Sequence, residues 1–526
     1  MGSTTQGVDS PNRLGEHAVV LGAGIAGLLA ARVLSEFYDS VSVVERDKLP
    51  DYPCHRRGIP QGRHVHNFYS RGLQVLEELF PGLLDDLARA GAVVVDDGDL
   101  SRFYVRFGRY EMKNSGAFAD PDALALHMTT RPFMEFHLRR RVKSLPNVTF
   151  LDGHDVCDLL NTADIVNGVR ITRRYNGFLM ALDADLVVDA MGRSARTPAF
   201  LESLGYQRPT EERAVARYGY ASQQLSMPEA SIAQRLVMFN PGGGRPGGLL
   251  LANEHDTFIL AIGVPADTGE PPTDFAAMLA MAEPSLPPAI VEGLRRAYPI
   301  GEAVTYHHTA AFWRRYDQLA EFPSGLLVMG DALCSLDPTY GQGMTIAALE
   351  ALTLRECLRA GDALLAQRFF RATAQYIGAT WAVNQARDRT TSGVYHGVRQ
   401  RLQGWISRAT LNASTQDVVL TERCFRVFNF IDPPSRLRDP LCYRASCGAT
   451  YGPGSPQSDT APRRLRSGRR ARRGTGLRYG PSRAASRRPG RPTPATAGCS
   501  ALGRKRFRSG RPDPCPRCPA PHRDTR

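Results

Sequence analysis

Gly22-Ala23-Gly24-Ile25-Ala26-Gly27 and the later Glu45 have the types and spacing needed to hold the pyrophosphate and ribose of a dinucleotide. Gly22 permits a tight turn, Gly24 lets the backbone approach a diphosphate, and Gly27 lets the next helix pack closely on the preceding strand. The helix N-terminus then faces the anion with its unpaired amides. Glu45 follows Gly22 by 23 residues, close to the interval expected of an acid that binds adenosine ribose hydroxyls. Arg46 reads either as a solvated charge or as a side chain lying along the adenosine. A βαβ unit must position these groups, and the flanking sequence supplies one. Residues 17–21 are a short apolar run suited to a buried parallel strand. Leu28, Leu29, Val33 and Leu34 recur at helical spacing, and residues 41–44 read as a second strand ending at Glu45. The motif alone does not separate NAD from FAD, and a glycine-rich turn in an unrelated αβ unit is the structural alternative.

A second glycine-rich segment runs from Gly330-Asp331 to Gly341-Gln342-Gly343-Met344. Residues 325–329 are an apolar strand ending on Gly330-Asp331. The Asp331 carboxylate can accept hydrogen bonds from ribitol hydroxyls, which NAD lacks. Pro338 keeps the following helix from starting early, and Gly341 and Gly343 free the backbone for close approach. From Met344, apolar residues through Ile346, Leu349, Leu352 and Leu354 continue as a helix. Its N-terminal amides would face an electron-rich ligand edge. The N1–C2 carbonyl region of a flavin is such an edge, and it gains negative charge on reduction. Tyr340 lies inside this segment, as a pocket-lining or a packing side chain.

With both segments in this order, about three hundred residues apart, the chain resembles the flavoprotein monooxygenases of the para-hydroxybenzoate hydroxylase type, group A. Residues 185–194 (DLVVDAMGRS) are similar to that family's middle motif, which serves both FAD and a transient nicotinamide cofactor. Arg131-Pro132-Phe133, opening an amphipathic helix, matches a family arginine that contacts FAD. Residues 57–66 (RGIPQGRHVH) are similar to a loop in the actinobacterial polyether-type polyketide epoxidases. The resemblance covers roughly residues 15–440. Leu333 and Cys334 depart from it where many members carry a histidine, and Asp189-Ala190 replaces Asp-Gly. Both departures leave the flavin groups in place.

The resemblance implies an α/β fold in which a Rossmann-like FAD-binding domain is interleaved with a β-sheet substrate domain. Residues 15–205 would form the first part of the FAD domain, with 100–125 contributing to the substrate domain. Residues 205–320 would form the substrate domain, 320–365 the second part of the FAD domain, 365–440 a helical C-terminal region and 440–526 a disordered basic tail. FAD would be held by residues 22–27, Glu45, Arg46, Arg63, Arg131, Asp331, Pro338 and residues 341–344. His64, His66 and Tyr340 are candidates for the flavin edge or the substrate, the alternative for the histidines being to fix the loop through backbone hydrogen bonds. Metal binding by His64 and His66 needs further ligands to which the sequence does not point.

The implied activity is insertion of one oxygen atom from O2 into a small organic molecule, by epoxidation or hydroxylation through a flavin C4a-hydroperoxide. NADPH, NADH or a separate flavin reductase would supply electrons. A polyketide or terpenoid of secondary metabolism, as in antibiotic biosynthesis, is the implied substrate class. No catalytic acid or base is assigned, because the reactivity belongs to the cofactor. The rival readings are an alkene reductase of the geranylgeranyl reductase type, a non-catalytic flavin-binding protein and a tail-driven nucleic-acid binder. A halogenase is disfavoured because no Trp-x-Trp-x-Ile-Pro motif occurs.

The net charge of +14 over 526 residues is unevenly placed. From Pro440 onward there are 21 basic and 3 acidic residues, so the tail carries +18 and the remainder −4. The tail lacks Val, Ile, Met and Trp and cannot bury enough apolar surface to offset its ordering entropy. The collapse in composition after residues 428–434 reads as a frameshifted translation of GC-rich DNA. Cys515 and Cys518 have C-x-x-C spacing without a second pair nearby, which disfavours zinc. The scattered cysteines of the body, the absence of a basic-then-apolar N-terminal leader and the lack of a spanning apolar run suggest a cytoplasmic enzyme with no membrane span and no nucleic-acid partner. Residues 103–107 read as a strand, 248–252 and 257–261 as a hairpin, 241–248 as a glycine-rich loop, and 306–308 as part of a strand.

Overall fold

The computed structural model describes residues 13–214, 218–228, 231–307, 310–392 and 398–438. His308 and the tail from residue 440, with its five cysteines, lie outside the described residues.

Five parallel strands carry the first glycine turn, in the spatial order Leu326–Val328, Leu186–Asp189, Gly15–Leu21, Tyr38–Glu45, Val148–Asp152. Residues 18–21 are fully buried, because helices cover this sheet and leave its central strand no polar face. The register pairs Leu21 with Asp189 and Asp189 with Val328. The chain segments leaving these three strands, at Gly22, Ala190 and Met329-Gly330, therefore emerge side by side. In open parallel sheets, ligands bind at this carboxyl edge. Helix Ile25–Leu34 follows the first turn and packs against helix Gly343–Arg359, which follows the second glycine segment.

A seven-stranded, mostly antiparallel sheet has the order Tyr298–Tyr306, Tyr218–Ser226, Thr257–Pro265, Gly247–Asn253, Leu236–Asn240, Phe103–Phe107, Tyr110–Glu111. Phe103–Phe107 joins it by parallel pairing to Leu236–Asn240, so a segment far upstream completes the sheet. One part of this sheet has its own core, formed by Leu250, Leu260 and Ile262 with Met278, Ile290 and Leu294 from helices Phe275–Ala282 and Pro288–Arg295. The expected hairpin is Gly247–Asn253 with Thr257–Pro265, and His255 and Asp256 turn it with left-handed φ of 58° and 56°. At its tip Glu254 accepts from Thr130 N at 2.7 Å and Thr130 Oγ1 at 2.5 Å, at the start of helix Arg131–Lys143. The hairpin tip is thus pinned to this helix by a carboxylate at the helix N-terminus, where the dipole favours it.

The strand expected over 306–308 stops at Tyr306, whose ladder partner is Tyr220. His307 lies beyond it and faces Glu270 at 3.6 Å on the surface. Helices Leu365–Ser392, Val398–Ala413 and Val418–Phe428 complete the body. Among the described residues no helix is long and apolar enough to cross a membrane.

Candidate functional site

The three glycines of the first turn have different neighbours. Gly22 has φ +100°, and a Cβ there would lie 2.7 Å from the Ala190 carbonyl oxygen. A Cβ at Gly27 would lie 1.9 Å from the Gly22 oxygen, so the helix rests directly on the turn. Around Gly24 there is room. A Cβ would meet nothing nearer than Arg131 Nη2 and Ile59 Cδ1, both at 4.0 Å, and that space opens into the cavity that Gly24 lines. Gly22, Ile25 and Ala26 line the same cavity. Ala23 and Gly27 stand behind these residues. They act from behind the wall, Gly27 by close packing and Ala23 through its N–H, which donates to Glu45 Oε2 at 2.9 Å.

Glu45 is buried at the end of its strand and lines the cavity. Its Oε1 accepts from Asp47 N at 2.9 Å, and its Oε2 faces Arg56 Nη1 at 3.3 Å. A carboxylate has about four acceptor sites, so acceptor capacity remains for a ribose hydroxyl. Arg56 is the centre of a buried charge cluster. Its side chain is 4% exposed and also meets Asp47 at 3.5 Å and Glu135 at 2.6 Å. Arg46 is exposed at the cavity rim, 3.8 Å from Asp155. Arg131 opens helix Arg131–Lys143, where Thr130 Oγ1 caps Phe133 N at 3.4 Å. Its Nε is buried, makes no hydrogen bond among the described residues and stands 3.7 Å from Glu135. Burial lowers its proton affinity, opposed by Glu135 and Asp331.

The second segment closes the opposite side of the same wall. Gly330 has φ +65°, and a Cβ there would come 2.6 Å from the Cβ of Ala26, so this glycine lets the two segments touch. Asp331 follows on the cavity wall. Burial raises its pKa, against Arg131 and then Arg193. Asp337 caps the turn Pro338–Tyr340 by accepting from Thr339 N at 2.9 Å, Gly341 takes φ +62°, and helix Gly343–Arg359 begins. Pro338, Tyr340, Gly341, Gln342, Gly343 and Met344 all line the cavity. Two braces hold them. Tyr69 OH donates to Tyr340 O at 2.6 Å, and Asn384 Nδ2 of helix Leu365–Ser392 donates to Gln342 Oε1 at 2.8 Å.

Arg63, expected to hold FAD, ends the single 3-10 turn Pro60–Arg63 and is exposed, while Gln61 and His64 of the same loop line the cavity. His64 is buried at the junction with the seven-stranded sheet. Its Nδ1 shares a 3.0 Å hydrogen bond with Ser222 Oγ, and its ring stands edge-on to Tyr220 at 4.7 Å and Tyr306 at 5.7 Å. His66 Nδ1 bonds the His64 carbonyl at 3.0 Å. Burial pushes His64 down to about 4, and burial with the Arg131 charge pushes His66 down to about 3. Among the described residues no group of three or more His, Cys, Asp or Glu is placed to hold a metal ion.

These two imidazoles predict acid sensitivity. As pH falls below the ordinary histidine value of 6.5, the unfolded chain takes up protons that folded His64 and His66 refuse until about 4 and 3. Their contribution to stability is therefore complete above 6.5 and lost as pH falls through that window. Melting of the apoprotein should drop less between pH 7 and 4 in a His64→Asn/His66→Asn variant than in wild type. Parallel curves would contradict this account.

The cavity measures about 1940 Å3, roughly twice the upper range of ~1,000 Å3 for a pocket that takes one drug-sized ligand. Much of the remaining lining is apolar, with Leu236, Met238, Leu249 and Leu251 from the sheet and Ile406, Leu411, Val427 and Phe428 from the C-terminal helices, beside polar residues such as Asn240 and Arg408. Arg56, Ser222 and the C-terminal lining carry no signal in local spacing. Glu350 does, as a carboxyl on a helix stripe otherwise made of Ile346, Ala347, Ala351 and Leu354.

No family model matches the chain. Protein Rv3254 of Mycobacterium tuberculosis is 36% identical over 440 residues, spanning 79% of this chain and 90% of that protein. A kynurenine 3-monooxygenase of Salinispora arenicola is 27% identical over 372 residues, covering 66% of this chain and 74% of its own length. Among solved structures, the flavin-dependent brominase Bmp2 superposes with a TM-score of 0.58 at 15% identity, over 82% of this chain and 99% of that one. At that identity the likeness speaks for the fold alone.

Proposed function

We propose that this chain, which belongs to the family of Protein Rv3254 within the group A flavoprotein monooxygenases, inserts one oxygen atom of O2 into a bulky, largely apolar organic substrate lying beside FAD. The observation that carries this reading is a single cavity. One wall joins the Gly22–Ala26 turn, Arg131, Asp331 and the Pro338–Met344 segment, and much of the remaining lining is apolar.

The residues fit FAD by two features. Gly24 leaves open a cradle that any side chain would fill, and the buried Arg131 Nε makes no hydrogen bond among the described residues. Gly22, Gly24 and the amides opening helix Ile25–Leu34 would receive the pyrophosphate. Glu45 would take the adenosine ribose, with Arg46 at the rim, and Asp331 the ribitol. The amides at Gly343 and Met344 would face the flavin edge that becomes negative. FAD, when bound and reduced, supplies the activation of O2. The chain's own part is to hold the ring against the 338–344 segment, to exclude water and to aim the substrate. His64, neutral above pH 5 or so by its lowered pKa, offers a hydrogen bond without charge beside Tyr220 and Tyr306.

The apolar lining and the size of the cavity favour a polyketide or terpenoid, as in secondary metabolism and antibiotic biosynthesis. The distinct core between one part of the seven-stranded sheet and helices Phe275–Ala282 and Pro288–Arg295 favours a division into FAD-binding and substrate domains near residues 205 and 320. NADPH or NADH, or a reductase acting in trans, would deliver the electrons, and we infer a cytoplasmic setting. FAD-loaded protein, photoreduced and mixed rapidly with oxygenated buffer, is expected to show a transient flavin absorbance before the oxidised spectrum returns. Direct reoxidation with no transient, at every substrate tried, would move alkene reduction to the front.

A further inference from the structure

Glu350 sits in the middle of helix Gly343–Arg359 and is fully buried. Its Oε2 accepts from Gly330 N at 2.5 Å, while Oε1 is buried with no hydrogen-bond partner among the described residues. Gly330 is thereby held from both sides. Ala26 blocks one, with a Cβ only 2.6 Å from where a Gly330 Cβ would stand, and the Glu350 carboxyl grips the amide from the other. The left-handed φ of +65° at Gly330 sets the direction in which Asp331 leaves the strand. We propose that Glu350 is a positioning residue for the flavin end of the cavity, holding the Gly330 turn that presents Asp331 and, as a neutral acid, keeping a second negative charge away from it. This rests on the reading of the cavity as an FAD site.

The groups facing the carboxyl come from each neighbouring element. Asp331 lies on the turn it grips, Cys334 on the short strand Cys334–Ser335, and Tyr376 on helix Leu365–Ser392. Cys334 and Tyr376 are pushed up chiefly by burial and then by Glu350, which leaves both protonated, and the cations Arg131 and Arg193 act on Asp331. Burial, with Asp331 adding to it, pushes Glu350 up to about 8, against the pull of the Gly330 N–H. A buried acid whose proton is kept by its surroundings donates or accepts without adding charge. Ionisation above pH 8 would set two carboxylates side by side at the flavin end.

FAD titration of the full-length apoprotein, followed by flavin fluorescence from pH 6 to 9.5, tests this. At pH 7 Glu350→Gln should bind within about threefold of wild type, since an amide oxygen still accepts from Gly330 N–H. Glu350→Leu leaves that amide unsatisfied and should bind about tenfold or more weakly. Wild-type affinity should fall above pH 8, and the Gln variant should be flat. Should the Leu variant not fold, the Gln profile decides alone, because a purely structural carboxyl would not flatten it. Melting of the apoproteins gives a second readout. Relative to the Gln variant, wild-type stability is fully present below the ordinary carboxyl value of 4.5 and is lost as pH rises to about 8. A Gln variant that keeps the alkaline fall, or a Leu variant that binds FAD like wild type, overturns the role of Glu350. A folded wild type that binds no FAD overturns the functional reading instead.

Discussion

A valine at Gly24 is expected to weaken FAD binding about 100-fold while leaving the apoprotein nearly as stable as wild type. The backbone there, φ −77° and ψ −177°, is open to any residue, and a Cβ would meet nothing nearer than 4.0 Å. In the proposed FAD site, that clear space is where the diphosphate would approach the helix N-terminus. Two added methyl groups would stand in it, with a loss of about 100-fold in affinity, using the upper end of ~1–3 kcal/mol for overfilling a fitted site. Gly27 provides the contrast. Its Cβ would lie 1.9 Å from a backbone oxygen that cannot move without the strand, so even alanine should cost about 3 kcal/mol of apoprotein stability. The pair is measured by FAD retention and by melting of the stripped proteins. Gly24→Val protein that emerges loaded with FAD would remove the cradle from the account.

Replacing Arg56 by methionine should be the most damaging single change outside the glycines. The guanidinium is the shared cation of Glu45, Asp47 and Glu135, and its Nη2 also donates to the Ala23 carbonyl at 3.2 Å. Removing one partner of a buried ion pair costs ~3–5 kcal/mol, because the stranded charge stays behind. Glu135 keeps weaker support from Arg139 at 3.5 Å and Arg131 at 3.7 Å, so the loss should fall mainly on Glu45 and Asp47. Urea unfolding of the apoprotein would show a midpoint shifted well below wild type, and FAD affinity should fall as Glu45 loses its anchor. Adding Asp47→Asn should recover part of the stability, since it removes one of the charges left without its cation. A variant as stable as wild type, or a double variant worse than the sum of its parts, would mean that the cluster is not electrostatically coupled.

Both effects sit at the same turn, yet only one was legible in advance. Gly24 could be singled out because the need for backbone approach is written locally, in a residue without a side chain between a strand and a helix. Arg56 could not. It lies 79 residues from Glu135, in a loop whose other arginines, Arg57 and Arg63, are exposed. Nothing in the spacing distinguishes the buried one. Arg63 shows the same limit in reverse: Gln61 and His64 beside it line the cavity, while one 3-10 turn leaves Arg63 exposed.

What the chain's sequence determined by itself was the set of short-range requirements: two strand–glycine–helix units, an acid after the second strand, an arginine opening a helix and a proline-glycine break before another. Each is decided within a few residues by backbone freedom, helix ends and periodicity. The tertiary structure alone decided which side chains share the cavity. The register Leu21, Asp189, Val328 brings the two glycine segments together. The Gly330–Ala26 contact seals them, and the C-terminal helices supply Ile406, Val427 and Phe428 to the lining. Burial also set the charge states there, lowering His64 and His66 and raising Glu350, because desolvation depends on everything packed around a group and not on its neighbours in the chain.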